Sequence, residues 1–311
     1  MKILSLFDGI SCARVALERA GIPVEAYYAS EIDKYAIQVS QKNYPDIKHI
    51  GSVTRLKLWN DNPNAIDFYY KEGDVDLLIG GSPCQDLSIA KKDRKGLDGE
   101  RSGLFWEYVR ILREAKPKYF ILENVASMPK EAKEIITQEL GVEPIMINAA
   151  LVSAQNRKRL FWTNIPNVTL PDDKGILLRD ILEPKVDETY YVKDKSNTIR
   201  TSGRGSGIDD KHNWDTIRVG KIGKGGQGDR IYSPQGKSVA LSAMGGGRGA
   251  KTGLYQTEEY TVRKLTPIEC ERLQGLPDNY TKGISNTQRY KCLGNAFNVD
   301  VVAHILSFIP R

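Results

Sequence analysis

The chain has 311 residues, of which 45 are Lys or Arg and 39 are Asp or Glu, for a formal net charge of +6. With 40% hydrophobic and 27% charged residues it has the composition of a folded globular protein, which excludes a disordered or fibrous chain; no apolar run approaches the roughly 18 residues that cross a bilayer. Cys12, Cys84, Cys270 and Cys292 are too few and too scattered for a disulfide framework, and Asp8 interrupts the apolar opening segment, so a reducing, cytoplasmic location without a membrane partner is expected.

Over roughly the first 165 residues, short apolar runs alternate with helical patterns. Residues 2–7 (KILSLF) read as a buried strand, and 12–20 as a helix stopped by Gly21. A strand at 26–30, a helix at 33–43 and a central strand at 76–79 (DLLI) follow. Residues 104–115 (LFWEYVRILREA) carry apolar side chains at helical spacing, 119–122 (YFIL) form another buried strand, and 130–140 another helix. Strands at 144–150 and 160–163 complete the series, which predicts an α/β fold with a doubly wound, mostly parallel sheet. From 171 to 262 the helical periodicity disappears and 15 of the 28 glycines are found. That stretch is expected to be a small, irregular, β-rich domain, the alternative being a long insertion with disordered loops. Within it Lys195 and Lys237 open two weakly similar segments. Helical patterning returns at 267–273 and 299–309, so the expected domains are 1–170 with 263–311, and 171–262.

In an open α/β sheet, ligands bind beyond the carboxyl ends of the strands, so the residues after each predicted strand are the candidates. After the first come Phe7, Asp8, Gly9, Ile10 and Ser11; this is not the GxGxxG of a dinucleotide site and specifies no pyrophosphate cradle. Glu31, after the second, suits two ribose hydroxyls, or is a surface carboxylate at a helix start. Gly80, Gly81, Ser82, Pro83 and Cys84 follow a central strand and would aim the thiol into the crevice; a buried, inert cysteine is the alternative. Glu123, placed directly after an apolar strand, would be a proton donor through desolvation or a structural acceptor. In QNRKR, Arg157 and Arg159 alternate and would face one way, unless the segment is a solvated basic turn.

In this order the segments resemble the motifs of the DNA cytosine-C5 methyltransferases, nearly end to end. FDGIS resembles the family's first motif, GGSPCQDLS its proline–cysteine motif, ENV its glutamate motif and QNRKR its QxRxR motif. Residues 263–280 (RKLTPIECERLQGLPDNY) resemble the ninth, and Gly294, Asn295 and Ala296 the tenth. FDGI and GGSPCQDLSI are similar to the vertebrate de novo enzymes, whereas the compact length is similar to bacterial and phage enzymes. Two departures stand out: Ser11 lies where the first motif has its second glycine, and Ser52 stands where the third motif carries an Asp.

The resemblance implies a Rossmann-like, S-adenosylmethionine-dependent methyltransferase, with 171–262 as target recognition domain. Cys84 would add to C6 of a flipped cytosine, Glu123 would hold N3 and the exocyclic amine, and Arg159, supported by Arg157, would bond O2. The cofactor pocket would include Phe7, stacked on adenine, with Asp8, Gly9, Ile10, Glu31, Ile32, Ser52, Val53, Gly81, Pro83, Leu104, Asn295 and Ala296. No metal is implied. Double-stranded DNA would be met by Ser88, Lys91, Lys92 and Arg94, in a basic segment 88–103 expected to close over the flipped base, and by Arg200, Arg204, Arg218, Arg230 and Arg248. A monomer in the cytoplasm of a bacterial or phage-infected cell, with a cognate restriction endonuclease as possible partner, completes the expectation. A tRNA cytosine-5 methyltransferase and an inactive DNA-binding homologue are the alternatives.

Overall fold

The computed structural model describes residues 1–58, 68–82, 104–190, 216–222, 227–243, 249, 251–258 and 261–310. The chain divides into two compact units. One comprises Met1–Ile147, Lys158–Leu170 and Val302–Arg311; the other comprises Asn148–Arg157 and Pro171–Val301. The segment 263–301 therefore groups with the glycine-rich region.

The first unit is built on β1 (Lys2–Leu6), α1 (Cys12–Arg19), β2 (Ala26–Ser30), α2 (Lys34–Asn43), β3 (Lys48–His49), β4 (Leu56–Leu58), β5 (Phe68–Tyr70), β6 (Leu77–Gly80), α3 (Leu104–Ala115), β7 (Tyr119–Val125), α4 (Lys130–Leu140), β8 (Ile145–Asn148) and β9 (Lys158–Thr163). Seven strands form one sheet in the order β3-β2-β1-β6-β7-β9-β8. The pairs from β3 to β7 are parallel, and β9 runs antiparallel to β7. Strand order reverses between β1 and β6, the switch point at which such sheets open a ligand crevice. KILSL and LLIG are apolar because parallel strands are covered on both faces; apart from Lys2 every residue of both is buried. Asp33 caps α2, accepting from the Tyr35 and Ala36 amides at 2.9 and 3.4 Å.

The second unit contains β10 (Arg218–Lys221), β11 (Arg230–Tyr232), β12 (Leu254–Glu258) and β13 (Thr261–Lys264), which form a four-stranded sheet in that order. It also contains α5 (Pro267–Leu273), α6 (Asn286–Asn295) and the start of α7 (Val299–Leu306). The box Thr266–Glu269, with Pro267 at the first helical position, starts α5. Between 171 and 262 no α-helix occurs among the described residues, as the lost periodicity predicts. Among the described residues no helix is long and apolar enough to cross a membrane.

Differences from the sequence reading cluster where polarity hides structure. The short strands β3, β4 and β5 and the helix α6 were not predicted. Strand β7 runs three residues further than expected, because antiparallel pairing with β9 continues to Val125, opposite Arg159. Glu123 thus lies inside a strand rather than after one.

Candidate active site

The turn after β1 is conformationally unusual. Phe7, Gly9 and Ser11 have φ of 56°, 61° and 61°, alternating with ordinary residues. Two of the three are not glycine, and left-handed backbone at such residues persists only where the surroundings enforce it. The enforcement is visible. The Asp8 carboxylate turns inward and accepts from Ser11 Oγ at 2.5 Å and Tyr27 OH at 2.6 Å. Burial pushes Asp8 up to about 6. Ser11 Oγ lies 2.6 Å from Ser40 Oγ, which lies 3.1 Å from His49 Nε2. Asp8 and Ile10, both buried, therefore offer a ligand only main chain.

Glu31, just beyond β2, accepts from the Gly9 amide at 2.8 Å, the Ile32 amide at 2.7 Å and the Asp33 amide at 2.8 Å. A carboxylate has about four lone-pair directions. About one remains, where the sequence reading assigned two ribose hydroxyls. Ile32 is 76% exposed. The adjoining turn is tied on by Ser30 Oγ, which donates to Gly51 O at 2.8 Å. The half-buried Ser52 uses its hydroxyl to cap its own turn, 2.9 Å from Thr54 Oγ1. Val53 is buried, and Arg110 of α3 donates to Leu56 O at 2.9 Å and Val53 O at 3.4 Å, bracing the same turn. Gly81 is half-buried beyond β6, and Leu104 packs half-buried against the core at the start of α3.

These strand ends fit a nucleoside. Gly9 leaves open space where a Cβ would stand, Ile32 offers an uncovered apolar face, and Glu31 keeps an acceptor site. The second unit separately presents Asn295, exposed at the end of α6, and Ala296, buried.

The sheet also sets a charge pair. Glu123 lies opposite Phe161 and Val125 opposite Arg159, so Glu123 and Arg159 are diagonal neighbours on one face. Arg159 Nε meets Glu123 Oε1 at 2.7 Å, with the two side chains 18% and 14% exposed. The desolvation invoked for Glu123 is therefore met by a counter-charge in contact. Asn124, on the other face, donates to Ser82 Oγ at 3.1 Å and anchors the chain where it leaves β6. Arg157 has different partners from Arg159. It is buried and donates to the carbonyls of Leu241, Gly294 and Ala296 at 3.2, 3.2 and 3.0 Å. The shared orientation expected from alternation does not extend to a shared partner.

Arg218 is exposed on β10, and Arg230 lies half-buried on β11 opposite Lys221. Pro83, Cys84, Ser88, Lys91, Lys92, Arg94, Arg200, Arg204, Arg248 and the expected lid 88–103 lie outside the described residues. The sequence reading missed Asn124 as an anchor and Arg110 as a brace. Arg110 sits between Glu107 and Glu114 at helical spacing, a pattern that reads as surface ion pairs.

The fold is that of the Rossmann-like methyltransferases that use S-adenosylmethionine. The Dnmt2 methyltransferase of S. pombe superposes with a TM-score of 0.66 at 19% identity, covering 99% of this chain and 97% of its own. The model of the C-5 cytosine-specific DNA methylases matches residues 1–311. The Type II methyltransferase M.HhaI of Haemophilus parahaemolyticus is 34% identical over 98% of this chain and 93% of its own length. The Type II methyltransferase M1.ScrFI of Lactococcus lactis subsp. cremoris is 30% identical over 97% and 76%. The chain belongs to the C-5 cytosine-specific DNA methylase family and is a DNA (cytosine-5)-methyltransferase.

Proposed function

We propose that this chain methylates C5 of a cytosine swung out of duplex DNA, with S-adenosylmethionine as methyl donor and Cys84 as transient nucleophile. The Glu123–Arg159 contact at 2.7 Å carries the reading, because it couples the two groups a cytosine edge requires. Glu123 Oε2 would accept from the exocyclic amine and stabilise charge at N3. Arg159 Nη2, without a hydrogen-bond partner among the described residues, would donate to O2. Asn124, through Ser82, would fix the strand end from which Cys84 attacks.

Carbon 5 of cytosine is a poor nucleophile. Addition of the Cys84 thiolate to C6 breaks the C5–C6 double bond and places electron density on C5. The bound cofactor would supply an electrophilic methyl group. After methylation the C5 proton is lost to a base, the Cys84–C6 bond breaks, and the double bond returns. The target atom is inaccessible inside a stacked duplex, so the base must leave it at a cost of a few kcal/mol. Phe7, Glu31, Ile32, Val53 and Asn295 would hold the adenosyl part, and Arg218 and Arg230 would contact DNA.

Incubation with a 5-fluorocytosine duplex and S-adenosylmethionine tests the reading, because fluorine cannot leave as a proton and the adduct accumulates. A denaturation-resistant protein–DNA adduct is expected, absent in Cys84→Ala. Adduct formation or methyl transfer by Cys84→Ala would overturn the mechanism, and methyl incorporation into tRNA but not duplex DNA would overturn the substrate.

A further inference from the structure

Helix α6 ends without the usual device. Its last four carbonyls need partners, and helices commonly supply them through a left-handed glycine just past the end. Here Ala296 follows with φ −65° and ψ 152°, an extended conformation that turns the chain away. Two of the four, those of Leu293 and Gly294, are met from elsewhere in the same unit. Gln274 Nε2 donates to Leu293 O at 2.6 Å. Arg157 Nη2 donates to Gly294 O at 3.2 Å and Ala296 O at 3.0 Å, while Nη1 donates to Leu241 O at 3.2 Å.

Gly294 shows how tight this junction is. A Cβ there would lie 2.3 Å from the Ala243 amide nitrogen and 2.5 Å from the Ser242 carbonyl carbon, so the helix end presses directly on that backbone. Arg157 rivets both sides of the contact at once. Its own main chain is held in turn, the amide donating to Asn148 Oδ1 at 2.9 Å and the carbonyl accepting from Ala149 at 3.0 Å. A cation is favoured at a helix C-terminus, and the planar guanidinium fork presents its donors from two nitrogens in a fixed geometry that a single ammonium does not reproduce.

We infer that Arg157 is a positioning residue for residues 294–296, setting the shape of the segment that carries Asn295, and is not a ligand of the pyrimidine. The inference rests on the proposed use of S-adenosylmethionine and assigns the two arginines of QNRKR different work. Arg159 faces the base with Glu123; Arg157 shapes the helix end that presents Asn295.

The test is calorimetric binding of S-adenosylhomocysteine without DNA, together with kcat and the KM for S-adenosylmethionine. Arg157→Lys keeps the charge but loses the fork, and is expected to weaken S-adenosylhomocysteine at least about tenfold and raise KM in parallel. The kcat at saturating cofactor should stay within about twofold. Gln274→Met, which removes the neighbouring cap, should shift affinity the same way by a few-fold, and it decides the matter if Arg157→Lys does not fold. Glu123→Gln should show the opposite split, with unchanged S-adenosylhomocysteine affinity and a collapsed kcat. Unchanged affinity with reduced kcat in the folded Arg157 or Gln274 variant would overturn the inference while leaving the proposed function standing. Failure of the unaltered chain to bind S-adenosylhomocysteine would overturn both.

Discussion

In the first unit the largest fully buried side chains are Trp162, Tyr27, Tyr108, Phe105, Ile3, Leu4 and Leu6; in the second they are Arg263, Tyr255 and Lys237. The first unit packs a continuous apolar cluster running from Leu4 through Phe105 and Leu122 to Trp162. Beside the four-stranded sheet of the second, the described residues include a small apolar cluster of Ile222, Ile231, Leu254 and Val262, with Val219 against them, and the buried rings of Tyr232 and Tyr255. Beside its apolar residues, the second unit buries charge joined to backbone. Glu269 binds both Nη atoms of Arg263, at 2.8 and 2.7 Å, and accepts from the amides of Thr266 and Glu183 at 2.8 and 2.9 Å. Glu271 similarly gathers Arg289 at 2.8 Å and the amides of Asn279 and Thr281 at 2.6 and 2.8 Å. Lys237, fully buried, donates to Ala150 O at 2.8 Å, Ser153 O at 3.3 Å and Ile176 O at 2.5 Å. Such directional contacts fix irregular backbone in one shape, where apolar contact alone is indifferent to direction.

The largest effect that tests this contrast is at Glu269. Glu269→Leu should cost about 3–5 kcal/mol in urea unfolding, because Arg263 is left buried without its counter-charge. The double substitution Arg263→Met with Glu269→Leu removes the stranded charge, yet it should recover only part of the loss. The amides of Thr266 and Glu183 still lose their acceptor, at about 1–3 kcal/mol each when buried. Full recovery by the double variant would mean that the pair is ordinary core filler and the contrast is false.

The same contrast explains which parts of the structure the sequence disclosed. In α3 the buried side chains are Phe105, Tyr108, Val109, Ile111 and Ala115, so burial and hydrophobicity coincide and the predicted helix matches the observed one. In α6 the buried set is Arg289, Tyr290, Cys292, Leu293 and Gly294, and a hydrophobic period cannot register a buried arginine. At the site, spacing placed Glu123 near a strand end, but its contact with Arg159 depends on the β7–β9 register, which no local pattern contains. The motif resemblance supplied that neighbour. It said nothing of the inward turn of Asp8, because an FDGI string is the same whichever way its carboxylate points.

Asp8 is the exception that sharpens the comparison, a carboxylate buried in the apolar unit and held by hydroxyls. Its folded value of about 6 lies above the unfolded 3.8, so between these values the folded chain binds the extra proton. Stability from this group is therefore greatest below about pH 3.8 and falls as pH rises through about 6. At about 1.4 kcal/mol per pH unit, the charge costs the folded state about 3 kcal/mol at pH 8. Asp8→Asn should gain stability relative to the unaltered chain at pH 8 by up to that amount, less about 1 kcal/mol for an imperfect hydrogen bond. The gain should vanish near pH 4. His49, linked through Ser11 and Ser40, is present in both chains and cancels in the difference. Urea midpoints of the two chains that stay parallel from pH 4 to 8 would refute the assignment.

The smallest expected effect lies on the second unit's four-stranded sheet, where two like charges share a register position. Lys221 and Arg230 stand directly opposite on neighbouring antiparallel strands. Like charges so placed cost about 0.2–1 kcal/mol, and that cost is relieved when a polyanion lies against them. Arg230→Gln should therefore stabilise the free protein by a few tenths of a kcal/mol. The same change should weaken duplex binding and lower the slope of log affinity against log salt by about 0.9, the counterions released by one phosphate contact. A lower slope with an unchanged preference among sequences would place Arg230 on the phosphates; a changed preference would place it on a base edge. An unchanged slope together with unchanged affinity would remove this strand pair from the DNA interface and leave its charge repulsion without a purpose.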